Sequence, residues 1–179
     1  MISDFVKGKK KFDFSPAIQH GIMLHRAIDN FTDTHAATKE AKQFFQAAYR
    51  LYSGAFVDVV YDHFLANDSN QFPQQDSLMN CCQKAYTILE TERKILPEKL
   101  AIMLPYMKKQ NWLYNYQFNW GIEKSFEGLA RRAVYLSESA IAFSIFEKNY
   151  IELQQCYTDF FPSLKKFAAQ WIHENKTHK

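Results

Sequence analysis

The stretch from Ala55 to Ala66 reads Ala-Phe-Val-Asp-Val-Val-Tyr-Asp-His-Phe-Leu-Ala. Its strongly polar residues are Asp58, Asp62 and His63. A helix that is apolar on nearly every side is normally buried, so other elements must cover this one. The same pattern poses a charge problem. A carboxylate buried without a partner is costly, and two of them one helical turn apart repel each other. Asp58 and Asp62 therefore require a cation, a proton or an arginine beside them.

Composition narrows the scaffold that can bury such a helix. The chain has 179 residues, with 16 Phe and 10 Tyr but only 5 Gly and 5 Pro. That is ample for one sizeable core and poor in the turn residues an all-β chain uses. The expected fold is all-α, a single-domain helical bundle over residues 1–179. Ser15-Pro16 reads as a helix start, with apolar spacing continuing to about Phe31. A second helix is expected over Ala36 to Leu51, then the apolar one to about Asn67. Asp76 can cap a helix reaching about Ile95, and Pro97 opens a short one ending near Lys108. The segment Asn111 to Trp120 has no clear period, and helical patterning resumes at Gly121. A continuous stripe runs from Phe143 to Phe160, where Phe161-Pro162 is expected to break it before a last helix.

Charge and cysteine use exclude several classes. Lys and Arg number 22 against 19 Asp and Glu, a formal charge of +3. The basic cluster Lys7 to Lys11 reads as a solvated turn rather than a nucleic-acid patch, and no nucleic-acid partner is expected. Cys81, Cys82 and Cys156 form no CxxC and no even set, which points to a reducing cytoplasm. No apolar run is long enough to span a bilayer, so no membrane partner is expected. Gly-rich phosphate loops, GxSxG and HExxH are absent.

What remains is a set of carboxylates and imidazoles at helical spacing. His25, Asp29 and Asp33 follow one another at four-residue intervals on the helix from Pro16. Asp58 and Asp62 repeat that interval. Side by side, the two helices would offer donors suited to Mn²⁺, Mg²⁺, Fe²⁺ or Zn²⁺. Such a set serves hydrolysis at phosphorus, because a bound metal lowers the pKa of water from near 16 toward about 7. Spare carboxylates or His63 can then move protons. Plainer readings stand beside this one. His25 and Asp29 can be an intrahelical pair, Asp33 a cap for the helix at Ala36, and His63 a packed core histidine. Arg26, Arg131 or Arg132 can neutralise Asp58 and Asp62 in place of a metal.

The chain resembles the acyl carrier protein phosphodiesterases. The resemblance rests on Asp4-Phe5-Val6-Lys7-Gly8, on the run Gly21 to Asp33 with its His-Arg-x-x-Asp-x-x-x-Asp pattern, and on Asp62-His63-Phe64-Leu65. Asn111-Trp112-Leu113, Gly128 to Arg132 and Phe160-Phe161-Pro162 extend it over nearly the whole chain. It implies an HD-phosphohydrolase-like helical fold and Mn²⁺-dependent removal of 4′-phosphopantetheine from holo acyl carrier protein. It implies Asp4, His25, Asp29, Asp33, Asp58 and Asp62 as metal or catalytic residues. Catalytic roles then fall to Asp29, Asp62, His63 and Arg26, and phosphate or cofactor contacts to Arg26, Arg131 and Arg132. The acidic carrier would be steered by Lys7, Lys9, Lys10, Lys11 and the two late arginines. The resemblance also implies a histidine-bearing segment before Asp4, which here lies three residues after Met1. The expectation is therefore an incomplete metal site with weak binding and low activity. Two other functions fit the residues: a metal-dependent phosphohydrolase of small phosphoesters such as nucleotides, and a carrier-protein-binding module without turnover.

Overall fold

The computed structural model describes residues 2–132, the side chain of Arg132 excepted, and residues 139–175. Among these residues every regular element is helical and no strand occurs. The α-helices are α1 (Pro16–Thr34), α2 (Ala36–Tyr49), α3 (Ser53–Ala66), α4 (Ser77–Thr91), α5 (Glu98–Lys109), α6 (Trp112–Asn115), α7 (Asn119–Arg132), α8 (Ser139–Lys148) and α9 (Tyr150–Glu174). Short 3-10 turns cover Ser3–Phe5, Gly8–Asp13, Arg50–Tyr52 and Arg93–Ile95. The all-α expectation holds, and no described helix is long and apolar enough to cross a membrane.

The apolar helix α3 lies at the centre. It packs against α2, α7 and α9. Phe56, Val57 and Val60 are fully buried, joined by Phe45 of α2, Phe126 of α7, Phe146 of α8 and Leu153 of α9. Each such side chain contributes about 1.5–3 kcal/mol on leaving water. The rings meet at angles that suit their quadrupoles: Phe45 stacks on Phe56 at 5.8 Å, and Phe126 meets Phe56 edge-on at 5.2 Å. Helix α1 closes the bundle along α9, where Phe31 stacks on Phe167 at 4.5 Å.

A second, smaller core gathers Tyr86, Leu89, Leu100, Leu104 and Met107 from α4 and α5. Ile2 and Phe5 pack against it from the N-terminal turn. Tyr86 links it onward, because its hydroxyl accepts the backbone N–H of Leu113 at 2.9 Å.

Several boundaries differ from expectation. Helix α1 runs three residues beyond Phe31, and His35 both ends it and caps α2. The His35 imidazole Nδ1 accepts the Ala37 N–H at 3.3 Å. Asp33 is therefore not the cap of α2. Pro162 lies inside α9 and does not end it. An internal proline removes one backbone hydrogen bond, but packing along the helix outweighs that loss. The break instead falls at Asn149, which separates α8 from α9. Asp76 occupies the N-cap position of α4, yet its side chain makes no capping hydrogen bond. Finally, α3 is not dry all round. Asp58 and Asp62 are exposed, flanked by half-buried Gly54 and Ala66, which makes one wet strip along an otherwise buried helix.

The segment without a clear period folds as the short α6 and a turn into α7. Asn111 begins it in the left-handed region at φ 55°, a conformation asparagine tolerates better than most residues. Gly121 then passes directly against the Asn115 carbonyl, where a Cβ would overlap backbone oxygen. Replacing Gly121 by Ala should therefore force the α6–α7 corner apart. The expected loss is about 1–3 kcal/mol, by the cost of overpacking. Thermal unfolding followed by circular dichroism measures it as a lowered Tm, and an unchanged Tm would refute the close approach.

Candidate functional site

The wet strip of α3 faces carboxylates carried by two earlier elements. Asp58 is exposed to water on one side and crowded by protein on the others. Incomplete hydration is the main reason its pKa rises to about 6. The negative charges of Asp33, Asp29 and Asp4 add to the shift, and Lys42 opposes it. Asp62 rises further, to about 7, through desolvation first and the nearby Asp58 second. The structure thus brings Asp4, Asp29, Asp33 and Asp62 within electrostatic reach of Asp58.

His25 organises the near edge. Its Nδ1 lies 3.0 Å from Asp29 Oδ2, one turn along α1, and its Nε2 lies 3.5 Å from Asp4 Oδ1. The intrahelical pair is real, and Asp4 extends it to a second element. Arg26 assists the same connection, donating from an η-nitrogen to the Val6 carbonyl at 2.7 Å. This bond anchors the N-terminal turn to α1, and the guanidinium fork has further donors beyond it.

Asp33 meets a residue that sequence reasoning missed. Lys42 of α2 donates to Asp33 Oδ1 at 2.7 Å. Its stem passes over Gly54, and a Cβ there would lie 3.2 Å from the Lys42 Cε. The sequence did hold a weak signal, since Lys42 falls between buried Ala41 and Phe45 at the edge of the α2 core stripe. A lysine there can bury its stem and extend its charge along the rim.

His63 is turned away from this group. Its Nδ1–H donates to the Tyr116 carbonyl at 2.8 Å, and the Tyr150 hydroxyl donates to its Nε2 at 3.2 Å. Burial lowers its pKa, with the Tyr116 bond opposing, which favours the neutral ring, and both nitrogens are engaged. This is the arrangement of a packed core histidine. Adjacent residues on a helix point about 100° apart, which separates His63 from Asp62. Arg131 is exposed on α7 and pairs with Glu127 at 3.3 Å on its own helix. The side chain of Arg132 lies outside the described residues. Lys9 and Lys10 are exposed on the 3-10 turn Gly8–Asp13, and Lys7 is exposed just before it.

The donor chemistry fits a hard divalent cation: carboxylate oxygens, one imidazole, and burial with nearby negative charge that together keep protons on Asp58 and Asp62 near neutrality. Their present spacing is looser than coordination requires. Among the described residues no three His, Cys, Asp or Glu side chains converge closely enough to hold a metal ion.

Fold and site together define an all-helical protein whose central helix presents a strip of incompletely hydrated carboxylates. Comparison with known proteins makes this specific. Residues 1–164 match the acyl carrier protein phosphodiesterase family, and the chain belongs to it. The acyl carrier protein phosphodiesterase of Yersinia pestis is 31% identical, covering 94% of this chain and 87% of its own. That of Photorhabdus laumondii is 29% identical, covering 94% and 85%, and that of Escherichia coli O157:H7 is 26% identical, covering 95% and 88%. No solved structure gives a significant match.

The raised carboxylates make stability depend on pH. In an unfolded chain an aspartate loses its proton near pH 4. In the folded chain Asp62 keeps it to about pH 7 and Asp58 to about pH 6. The folded state therefore binds more protons across this window, and stability falls as pH rises through it. Solvent contact screens the effect without reversing it. In chelating buffer, Asp62→Asn should raise Tm at pH 8, with the gain shrinking steadily toward pH 5. Melting curves across that range test this, and a gain independent of pH would contradict it.

Proposed function

We propose that the chain hydrolyses the phosphodiester joining 4′-phosphopantetheine to the serine of holo acyl carrier protein. Water adds its oxygen to phosphorus, the serine oxygen leaves and takes a proton, and apo carrier protein and 4′-phosphopantetheine are released. The observation that carries this reading is the family match over residues 1–164, beside a strip of proton-retaining carboxylates.

Asp58 and Asp62, with Asp4, His25 and Asp29, are the residues that would hold a divalent cation, Mn²⁺ first and Mg²⁺ or Fe²⁺ as alternatives. Such a cation, when bound, supplies a more acidic water and polarises a phosphoryl oxygen. The chain itself supplies the remaining work. A carboxyl of this set that is left off the cation can keep its proton near neutrality and deliver it to the departing serine oxygen. Lys42 holds Asp33 and limits the negative charge beside Asp58. The free donors of Arg26 suit phosphate oxygens. His63 positions α3 by tying it to Tyr116 and Tyr150. The exposed Lys7, Lys9 and Lys10 suit an acidic carrier in the cytoplasm, raising its rate of encounter more than its affinity.

A second reading, a carrier-binding module without turnover, is favoured by the lack of three convergent donors among the described residues. Incubation with holo carrier protein and Mn²⁺, followed by intact-mass measurement, separates the two. The expected result is loss of the phosphopantetheine mass from the carrier. Asp62→Asn should abolish that loss and leave carrier binding intact. Binding without any mass loss in Mn²⁺, Mg²⁺ or Fe²⁺ would overturn the enzyme reading.

A further inference from the structure

The wet strip of α3 does not stop at Asp62. Four-residue steps carry it from Gly54 through Asp58 and Asp62 to Ala66, all on one side of the helix. Ala66 is about 6 Å beyond Asp62 along the axis, at 1.5 Å per residue. There the strip opens into a hollow of about 330 Å³, walled by Ala66, Phe72, Leu78, Tyr114 and Gln117. A second hollow of about 580 Å³ follows, toward Gln154, Tyr157 and Phe161. Asn67, Asp68 and Ser69 line both, so the two hollows adjoin at the C-terminal end of α3, and together they are called the groove.

The chemistry of this groove differs sharply from that of the strip leading to it. Its charged lining residues are Asp68 and Lys165, and both have partners. The Asp68 carboxylate accepts the Tyr157 hydroxyl at 2.9 Å and the Asn70 N–H at 2.8 Å. Lys165 donates to Gln71 Oε1 at 2.7 Å. Those partners are neutral, so both groups keep their charge; the rest of the lining is carboxamides, hydroxyls and apolar walls. Apart from Lys165, such a lining offers phosphate little and suits a neutral chain that alternates amides with alkyl groups. A phosphodiester at Asp58 and Asp62 would place whatever is attached to it at the mouth of this groove.

We propose that the groove receives the pantetheine arm of the holo carrier. This rests on the phosphodiesterase reading. The arm has two amides, a hydroxyl and a geminal dimethyl carbon, which match a lining of carboxamides beside Phe72, Leu78 and Tyr114. It also orients the substrate. With the arm running past Ala66, the serine and the body of the carrier lie toward Gly54 and Lys42.

Ser69 is exposed, lies on the loop after α3 and lines both hollows, so Ser69→Trp obstructs the groove at its junction without touching the core. Steady-state kinetics on holo carrier protein and on bis(p-nitrophenyl) phosphate, which has no such arm, read the effect. Ser69→Trp should raise KM for holo carrier about tenfold and leave the armless diester unchanged. Saturation-transfer NMR with pantetheine alone gives a readout independent of turnover. The methyl signals should appear with the parent and vanish with Ser69→Trp, while circular dichroism confirms that the variant is folded. Equal KM for holo carrier in parent and variant, with no pantetheine signal from the parent, overturns the groove and leaves the hydrolase standing. Pantetheine binding that is lost on substitution, without hydrolysis of holo carrier by the parent, supports the groove and overturns the phosphodiesterase reading.

Discussion

A carboxylate that water cannot fully surround must keep a proton or find a cation. That constraint, placed on Asp58 and Asp62 of the most apolar helix in the chain, governs the surrounding structure. Helix α3 has to be central because of what it buries. It has to leave one edge open because of what it cannot bury. Helices α2, α7 and α9 cover the dry sides, while the open edge faces the carboxylates of α1 and the N-terminal turn.

The charges around that edge differ in their partners. Lys42 pairs directly with Asp33, and His25 lies between Asp4 and Asp29. Asp58 and Asp62 have no comparably close basic partner described, and burial pushes the pKa of both upward. The strip runs from a lysine-bound end near Gly54, through carboxyls able to exchange protons near neutrality, to a groove past Ala66 lined mainly by amide and apolar side chains. A phosphodiester with one charged centre and one neutral arm has a matching polarity.

Much of this architecture was legible in the residues, for reasons that can be stated. Long amphipathic periods located α1, α2 and α4, because burial of one face decides those helices locally. The strip of carboxylates was legible because charge on an apolar helix demands an explanation. Other features were settled by distant contacts. Pro162 looked like a helix end, yet Leu153, Cys156, Tyr157 and Phe160 anchor α9 in the main core before it. Asp33 looked like a cap until His35 took that place and Lys42 took Asp33. His63 carried the chemistry of a proton shuttle, but Tyr116 and Tyr150, 53 and 87 residues away, fix it as a structural donor and acceptor. Lys42 was missed because its partners lie on two other helices, and no periodicity within α2 reveals them.

The corner between α1 and α2 is a single residue. His35 closes one helix, opens the next, and packs its ring between Phe31 and Phe160. Asp33 and Lys42 stand on opposite sides of that corner. Their meeting is thus a matter of chain arithmetic: one added or deleted residue would rotate Lys42 about a third of a turn relative to Asp33. The pairing therefore constrains the length of the chain that joins the two helices more tightly than it constrains the side chains on their exposed faces.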